Sequence, residues 1–260
     1  MRDIRVIVAT HKKYRMPGDS MYIPVHVGAE GKKSIGYQRD DQGENISSLN
    51  PAFCELTGLY WAWKNLDAEY IGLAHYRRHF KGWKKSKDLF EEVLTLEEAN
   101  SILDHSDTDI ILTKKRKYYI ETIYDHYAHT MYVEPLDEAG RIIAEKYPEY
   151  KPYFDKHMKE RSQHAFNMFI MRKDKLDAYC SWLFDILFEL DKKFEQADYS
   201  AFHKRYPGRI SERLLDVWLM KNNEHYVEVP FLYMEKINKI KKITGFLKAK
   251  LFHKKYGESF

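Results

Sequence analysis

Short β-branched or apolar runs that stop abruptly at basic residues constrain this chain more than any other feature. Asp3 to Thr10 (DIRVIVAT) runs into His11-Lys12-Lys13. Tyr70 to Ala74 (YIGLA) runs into His75-Tyr76-Arg77-Arg78-His79. Asp109 to Thr113 (DIILT) runs into Lys114-Lys115-Arg116. Runs of this length and composition read as buried strands. Between and after them the apolar spacing changes to a helical one: Phe53, Leu56, Tyr60 and Trp63 first, then Leu136 to Tyr147, Phe154 to Arg161, Leu176 to Leu190 and Ile210 to Met220. Alternating strands and helices predict an α/β fold, with a mostly parallel central sheet flanked by helices. Ligands of open α/β sheets bind beyond the carboxyl ends of the strands. Three basic tips on one edge would therefore make an anion-binding wall, and arginine presents a planar fork that matches phosphate oxygens. The alternative for His75 to His79 is a surface arginine pair with a stacked tyrosine.

The rest of the pattern is filled in around those strands. Tyr22 to Val27 reads as a second strand, Ala165 to Met171 as another and Tyr226 to Val229 as a last one. Gly28 to Ile46 is polar and carries four glycines, so it reads as a long loop, a length usually functional or mobile. Asn50-Pro51 reads as a helix start with Asn50 as the cap. Ser86 to Asp104 reads as mixed and helical. His126 and His129 could share a helical face, but two ligands are too few for a metal, and a core-satisfied or solvated pair is the better account. Glu212 sits near the start of the Ile210 to Met220 helix. There it suits the helix dipole; the functional alternative is a general base.

Composition excludes several classes. A net charge of only +4 over 260 residues does not support nucleic-acid binding. The two cysteines, Cys54 and Cys180, supply neither a disulfide framework nor a zinc pattern, and a reducing cytoplasm is the expectation. Twenty tyrosines suit either stacking on sugar and base rings or simply an aromatic core and rim. No run approaches the ~20 apolar residues of a membrane-spanning helix, and no secretory signal is read at the N-terminus. There is no GxGxxG, Walker, GxSxG or HExxH pattern. Residues 1–230 read as one domain and residues 231–260 as a separate tail. In the tail Ile237, Ile240, Ile243, Leu247 and Leu251 share a helical side, with lysines from Lys236 to Lys255 interleaved. That is the pattern of a basic amphipathic helix on an anionic membrane surface; a terminal helix docked on the domain is the alternative.

The strings VATHKK, ENISSLNPAFCELTGLYWAWKN, EYIGLAHYRR, DIILTKKRKYYIETIY, HAFNMFIMRKDKLDAYCSWLFDILFEL and GRISERLLDVWL resemble a bacterial family of capsular and exopolysaccharide biosynthesis. Its members are glycosyltransferases, galactofuranosyl transfer among the activities attached to them. The resemblance runs from about Ile4 to Tyr226. More loosely, the motif order resembles the GT-A nucleotide-sugar fold.

What the resemblance implies is a hexosyltransferase. It would take a UDP-sugar donor, with galactofuranose or galactose as the sugar, and a lipid-linked glycan acceptor of capsule, exopolysaccharide or O-antigen synthesis. It would work in the cytoplasm, peripherally on the inner face of the cell membrane. Thr10, His11, Lys12, Asn45, Asn50, Tyr60, Trp61, His75, Tyr76, Arg77 and Arg78 are then the donor-binding candidates. Tyr60 or Trp61 would stack on base or sugar, and His75, Arg77 and Arg78 would hold the diphosphate. His164, Asn167 and Arg213 are the acceptor-binding candidates, and Glu212 the catalytic base of an inverting transfer.

The chain departs from the GT-A pattern at the central strand. Where an Asp-x-Asp metal motif would stand it has His75-Tyr76-Arg77, cations and donors instead of the oxygen ligands a hard divalent ion needs. Preorganised cations can stabilise a leaving diphosphate without metal, so no cofactor is expected. Asp40-Asp41 is the alternative site for Mn2+ or Mg2+. A non-catalytic binding or assembly module of the polysaccharide machinery is the alternative function.

Overall fold

The computed structural model describes residues 1–235. These fall into two compact units, each formed from separate stretches of chain. The first comprises Met1–Lys114, Phe166–Trp182 and Glu224–Glu235; the second holds Lys115–Ala165 and Leu183–Asn223. Residues 1–230, read from sequence as one domain, thus hold two packing units. The predicted amphipathic helix of Lys236 to Lys255 lies outside the described residues.

The first unit contains β1 (Ile4–Thr10), β2 (Tyr22–His26), β3 (Gln38–Arg39), α1 (Asn50–Phe53), α2 (Leu56–Asn65), β4 (Tyr70–His75), β5 (Arg78–Phe80), α3 (Leu96–Asp104) and β6 (Ile110–Thr113). The second opens with β7 (Arg116–Lys117), α4 (Ile123–Thr130), α5 (Glu134–Lys146), α6 (Lys151–Met158) and β8 (Ser162–Gln163). The chain then returns to the first unit through β9 (Phe169–Arg172) and the start of α7 (Lys173–Lys193). It completes the second with the rest of α7 and α8 (Tyr206–Lys221), and the first with β10 (Val227–Val229) and β11 (Phe231–Tyr233). The last strand comes from residues that the sequence reading placed in the tail.

The sheet of the first unit runs β10-β6-β9-β4-β1-β2-β3, with β5 pairing β4 and β11 pairing β5. β3, β2, β1 and β4 are parallel, as are β6 and β10. β9 enters antiparallel between β4 and β6, so the sheet is mixed. β1 and β4 lie at its centre and are apolar on both faces: Val6, Ile7, Val8, Ile71, Leu73 and Ala74 have no exposed surface. A continuous apolar run is what a strand buried on both faces requires.

Gly72 on β4 is a point of close approach to β9. A Cβ there would stand 2.7 Å from the Phe169 carbonyl oxygen and 2.9 Å from Ile170 Cγ1. Backbone cannot yield as a side-chain end can. Gly72→Ala is therefore expected to destabilise the fold by about 2–3 kcal/mol, read as a lowered urea midpoint; an unchanged midpoint would mean the sheet relaxes there.

Local signals set several helix ends. Thr95 and Glu98 form a reciprocal capping box on α3. Thr122 caps α4 by accepting from the Asp125 N–H. Asn50 departs from its expected role: it is the first residue of α1, whose N-cap Leu49 makes no side-chain bond. Its amide instead donates forward to the Cys54 carbonyl (2.7 Å) and the Thr57 hydroxyl (3.2 Å). In the second unit α5 buries Leu136, Ala139, Ile142 and Ile143 at helical spacing, and α8 buries Ile210, Leu214, Val217 and Trp218.

Candidate functional site

Strand direction gathers the chemistry at one edge of the first unit. β1 and β4 are parallel neighbours with Ala9 beside His75, so His11-Lys12 and His75 leave the sheet side by side. β9 runs the other way between β4 and β6, with Phe169 beside Leu73. Its lead-in, Phe166 to Met168, therefore arrives where β4 departs. That lead-in was expected to be strand. It is instead a bend with two consecutive non-glycine residues in the left-handed region, Phe166 at φ 72° and Asn167 at φ 54°. Such backbone costs on the order of 1–3 kcal/mol per residue and persists only where its surroundings enforce it.

The string His75-Tyr76-Arg77-Arg78 is a tight hairpin, not a simple strand tip. β4 ends at His75, β5 begins at Arg78, and the two are cross-strand partners. Both turn to Phe166. The His75 Nε2–H donates to the Phe166 carbonyl (2.8 Å), while the Arg78 guanidinium stacks 4.2 Å from the Phe166 ring centroid and 5.6 Å from that of Tyr233. Glu55, between α1 and α2, joins them. Its Oε1 accepts from the Asn167 amide (2.8 Å) and lies 3.8 Å from His75 Nε2.

A second cluster adjoins it on the hairpin turn. Tyr76 is buried, with the rings of His11 and Tyr14 edge-on at 5.4 and 5.0 Å. Lys12 Nζ lies 5.2 Å over the Tyr76 ring and Arg77 5.4 Å from it. The Glu235 carboxylate stands 4.0 Å from Lys12 and 3.8 Å from Arg77. The third basic tip divides between the units. Lys114 continues from β6 in the first, whereas Lys115 and Arg116 serve the second, on Asp216 and over the Tyr118 ring.

Other donor-side candidates are used within the fold. The buried Thr10 hydroxyl closes a turn on the Lys12 carbonyl (2.7 Å). Asn45 closes another, accepting from the Ser47 N–H and donating to the Gly43 carbonyl. Trp61 is a core residue with 6% exposure, so it offers no ring for stacking. Tyr60 is half-buried and donates to Glu44 (2.9 Å); burial first, then Glu44, push its phenol up to about 12.

Asp40 and Asp41 do not form an open carboxylate pair for Mn2+ or Mg2+. Asp40 is fully buried and accepts from the N–H groups of Gly28 (2.7 Å) and Ala29 (3.0 Å) and the hydroxyls of Ser47 (2.5 Å) and Thr57 (2.6 Å). Asp41 is held by Arg39. This carboxylate pins the glycine-rich loop. Among the described residues no group of three His, Cys, Asp or Glu is placed to hold a metal ion.

The second unit has its own buried charges. Asp216 on α8 accepts from the His164 backbone N–H (2.8 Å) and ring Nδ1 (2.6 Å), with Lys115 at 3.3 Å and His157 Nε2 at 3.7 Å. Burial alone would raise its pKa. The His164 hydrogen bond and the charges of His164, His157 and Lys115 outweigh that and bring it to about 2. His164 is thus an internal anchor with 1% exposure, not a group presented to an acceptor. Arg213 is also turned inward, 4.8 Å over the Tyr127 ring and donating to the Arg209 carbonyl. Glu212 stays half-buried, 3.7 Å from Arg213. Because α8 begins at Tyr206, Glu212 lies beyond the first turn and the dipole account of it lapses. His126 and His129 share the buried carboxylate of Glu121 through their Nδ1 atoms, at 3.1 and 2.8 Å. That is the satisfied pair expected from sequence.

Comparison with known proteins adds two findings. The model of a family described as a domain of unknown function, DUF4422, matches residues 5–224. The apo structure of the bifunctional glycosyltransferase WbbM is similar to this chain, with a TM-score of 0.81 and 29% identity. That match covers 90% of this chain and 46% of the WbbM chain, so the present chain spans about half the length of that relative. No curated protein matches it.

Proposed function

Since the chain belongs to the DUF4422 family and is similar over most of its length to part of a glycosyltransferase, we propose that it transfers a sugar from a nucleoside diphosphate sugar to a glycan acceptor. One observation carries the reading: the His75–Arg78 hairpin, with Lys12 and His11 beside it, stands at the carboxyl edge of β1 and β4. Ligands of α/β sheets bind beyond that edge, and two arginines and a histidine suit a diphosphate. The carrier is uridine diphosphate, the sugar galactofuranose or galactose, and the acceptor a lipid-linked glycan of capsule, exopolysaccharide or O-antigen synthesis. These finer terms rest on the family resemblance of the sequence. Sited in the cytoplasm, the enzyme would be held on the inner membrane face by the basic segment Lys236 to Lys255.

In this mechanism the acceptor oxygen bonds to the anomeric carbon as the bond to the diphosphate oxygen breaks, with inversion. The electron pair leaves with the diphosphate, where Arg77, Arg78 and His75 stabilise the added charge without a metal. The acceptor proton passes to a carboxylate. Glu212 is the candidate that the family resemblance of the sequence implies, and its side chain is 23% exposed. Glu212→Gln is expected to cut transfer by about 10²–10⁴-fold and to leave UDP affinity unchanged, measured as UDP release and by calorimetry. A Gln variant with full turnover removes Glu212 from this role. A wild-type chain that neither binds nor consumes any nucleotide sugar would favour a non-catalytic assembly module instead.

A further inference from the structure

The carboxylate of Glu55 is built into the candidate site by a break in the helix that carries it. α1 stops at Phe53 and α2 starts at Leu56; between them Cys54 takes φ 54° and ψ −127°, conformational space a side chain rarely enters. The break is enforced. The Cys54 carbonyl accepts from the Asn50 amide (2.7 Å), and the Thr57 hydroxyl that lies 3.1 Å from it also donates to the buried Asp40. Its consequence is that the Glu55 side chain reaches Asn167 and His75, only 13% exposed. Three left-handed non-glycine residues, Cys54, Phe166 and Asn167, thus flank one carboxylate. Strain of this kind clusters at ligand-binding sites.

Among the described residues only one of its oxygens is engaged. Oε1 takes the Asn167 hydrogen bond and faces His75; Oε2 has no hydrogen-bond partner among the described residues. A carboxylate oxygen of this sort cannot bind a diphosphate, which it would repel. It can accept from hydroxyl groups. Its Oε1 lies 3.8 Å from His75, one of the groups proposed to hold the diphosphate, and the transferred sugar is attached to that diphosphate.

We infer that Glu55 reads the hydroxyl groups of the transferred sugar, with Asn167 holding its carboxylate in place. The inference rests on the nucleotide-sugar reading above. It separates two affinities that a purely structural role would move together. In calorimetry with UDP and with UDP-galactose, UDP-glucose and UDP-galactofuranose, Glu55→Gln should keep UDP affinity within about threefold. It should weaken the UDP-sugar that the wild type binds best by about 10-fold or more, as loss of a charged hydrogen bond implies. Glu55→Asp, which withdraws the carboxylate without neutralising it, should show the same split. Equal loss of UDP and UDP-sugar would make Glu55 a support for His75 and Asn167 and overturn the inference, as would no loss of either. A wild type that binds UDP but gains nothing from any attached sugar overturns it too. A wild type that binds neither UDP nor a UDP-sugar instead defeats the nucleotide-sugar reading itself.

Discussion

Arg78→Met should lower sugar transfer by about 10²–10³-fold in a chain that still folds. That is the usual loss when one preorganised donor to a developing oxyanion is removed. Arg78 qualifies as preorganised because its guanidinium is fixed from two sides, 4.2 Å from the Phe166 ring and 5.6 Å from Tyr233. The stacking itself is worth about 0.5–2 kcal/mol, and methionine retains much of the packing through its thioether on the rings. The fold should therefore survive while the charge is lost. Arg78→Lys should recover only part of the rate, since a lysine is a point charge without the planar fork. Rates of UDP release, set beside thermal melting of each variant, separate the two effects. Wild-type turnover in Arg78→Met would remove it from the leaving-group site.

Asp216→Ala should cost about 3–5 kcal/mol of stability, the range for stripping the partner from buried charge. His164, His157 and Lys115 would each lose this carboxylate. The same residue predicts an acid transition. Its pKa is about 2 in the folded chain and 3.8 in the reference state, so the unfolded chain binds the proton more readily. The stabilisation is complete above about pH 4 and is lost as pH falls through about 2, amounting to about 2 kcal/mol. His126 adds to acid sensitivity from higher pH. Burial, opposed by Glu121, lowers it to about 4, so its contribution is whole above its ordinary value of 6.5 and declines as pH falls toward 4. Urea midpoints between pH 7 and pH 2 should show the wild type steepest below pH 4 and Asp216→Ala lacking that final slope. Parallel curves would mean that Asp216 does not carry the acid dependence.

The strands and longer helices were readable because apolar period and length report burial directly. β1, β4 and β6 each match a short β-branched or apolar run, and α5, α7 and α8 match runs at helical spacing. The edge they make was also readable, since the basic residues follow the strands in sequence. The site's interior was not. NPAFCELTGLYW has an unbroken helical pattern, and the break that carries Glu55 is revealed only by the side-chain bonds of Asn50 and Thr57 to the Cys54 carbonyl and by the longer-range bond from Thr57 to Asp40. AFNMFIM reads as strand, yet Phe166 and Asn167 within it are left-handed; the one local signal is Asn167, a residue type that tolerates that region. His164 and Arg213 are acceptor-binding candidates through the family resemblance alone, and polarity marks functional and buried-network positions alike. Only the partners, Asp216 and Tyr127, tell them apart. The division into two units, each drawing on distant stretches of chain, leaves no mark in composition at all.

The most direct test of the account is titration calorimetry of the unmodified chain with UDP, once in EDTA and once in manganese. If the cations of the His75–Arg78 hairpin stand in for a metal, UDP binds with the same affinity in both, and the affinity falls at least tenfold in Arg78→Met. Binding that appears only with manganese, or that ignores Arg78→Met, would contradict the assignment of the diphosphate to this edge.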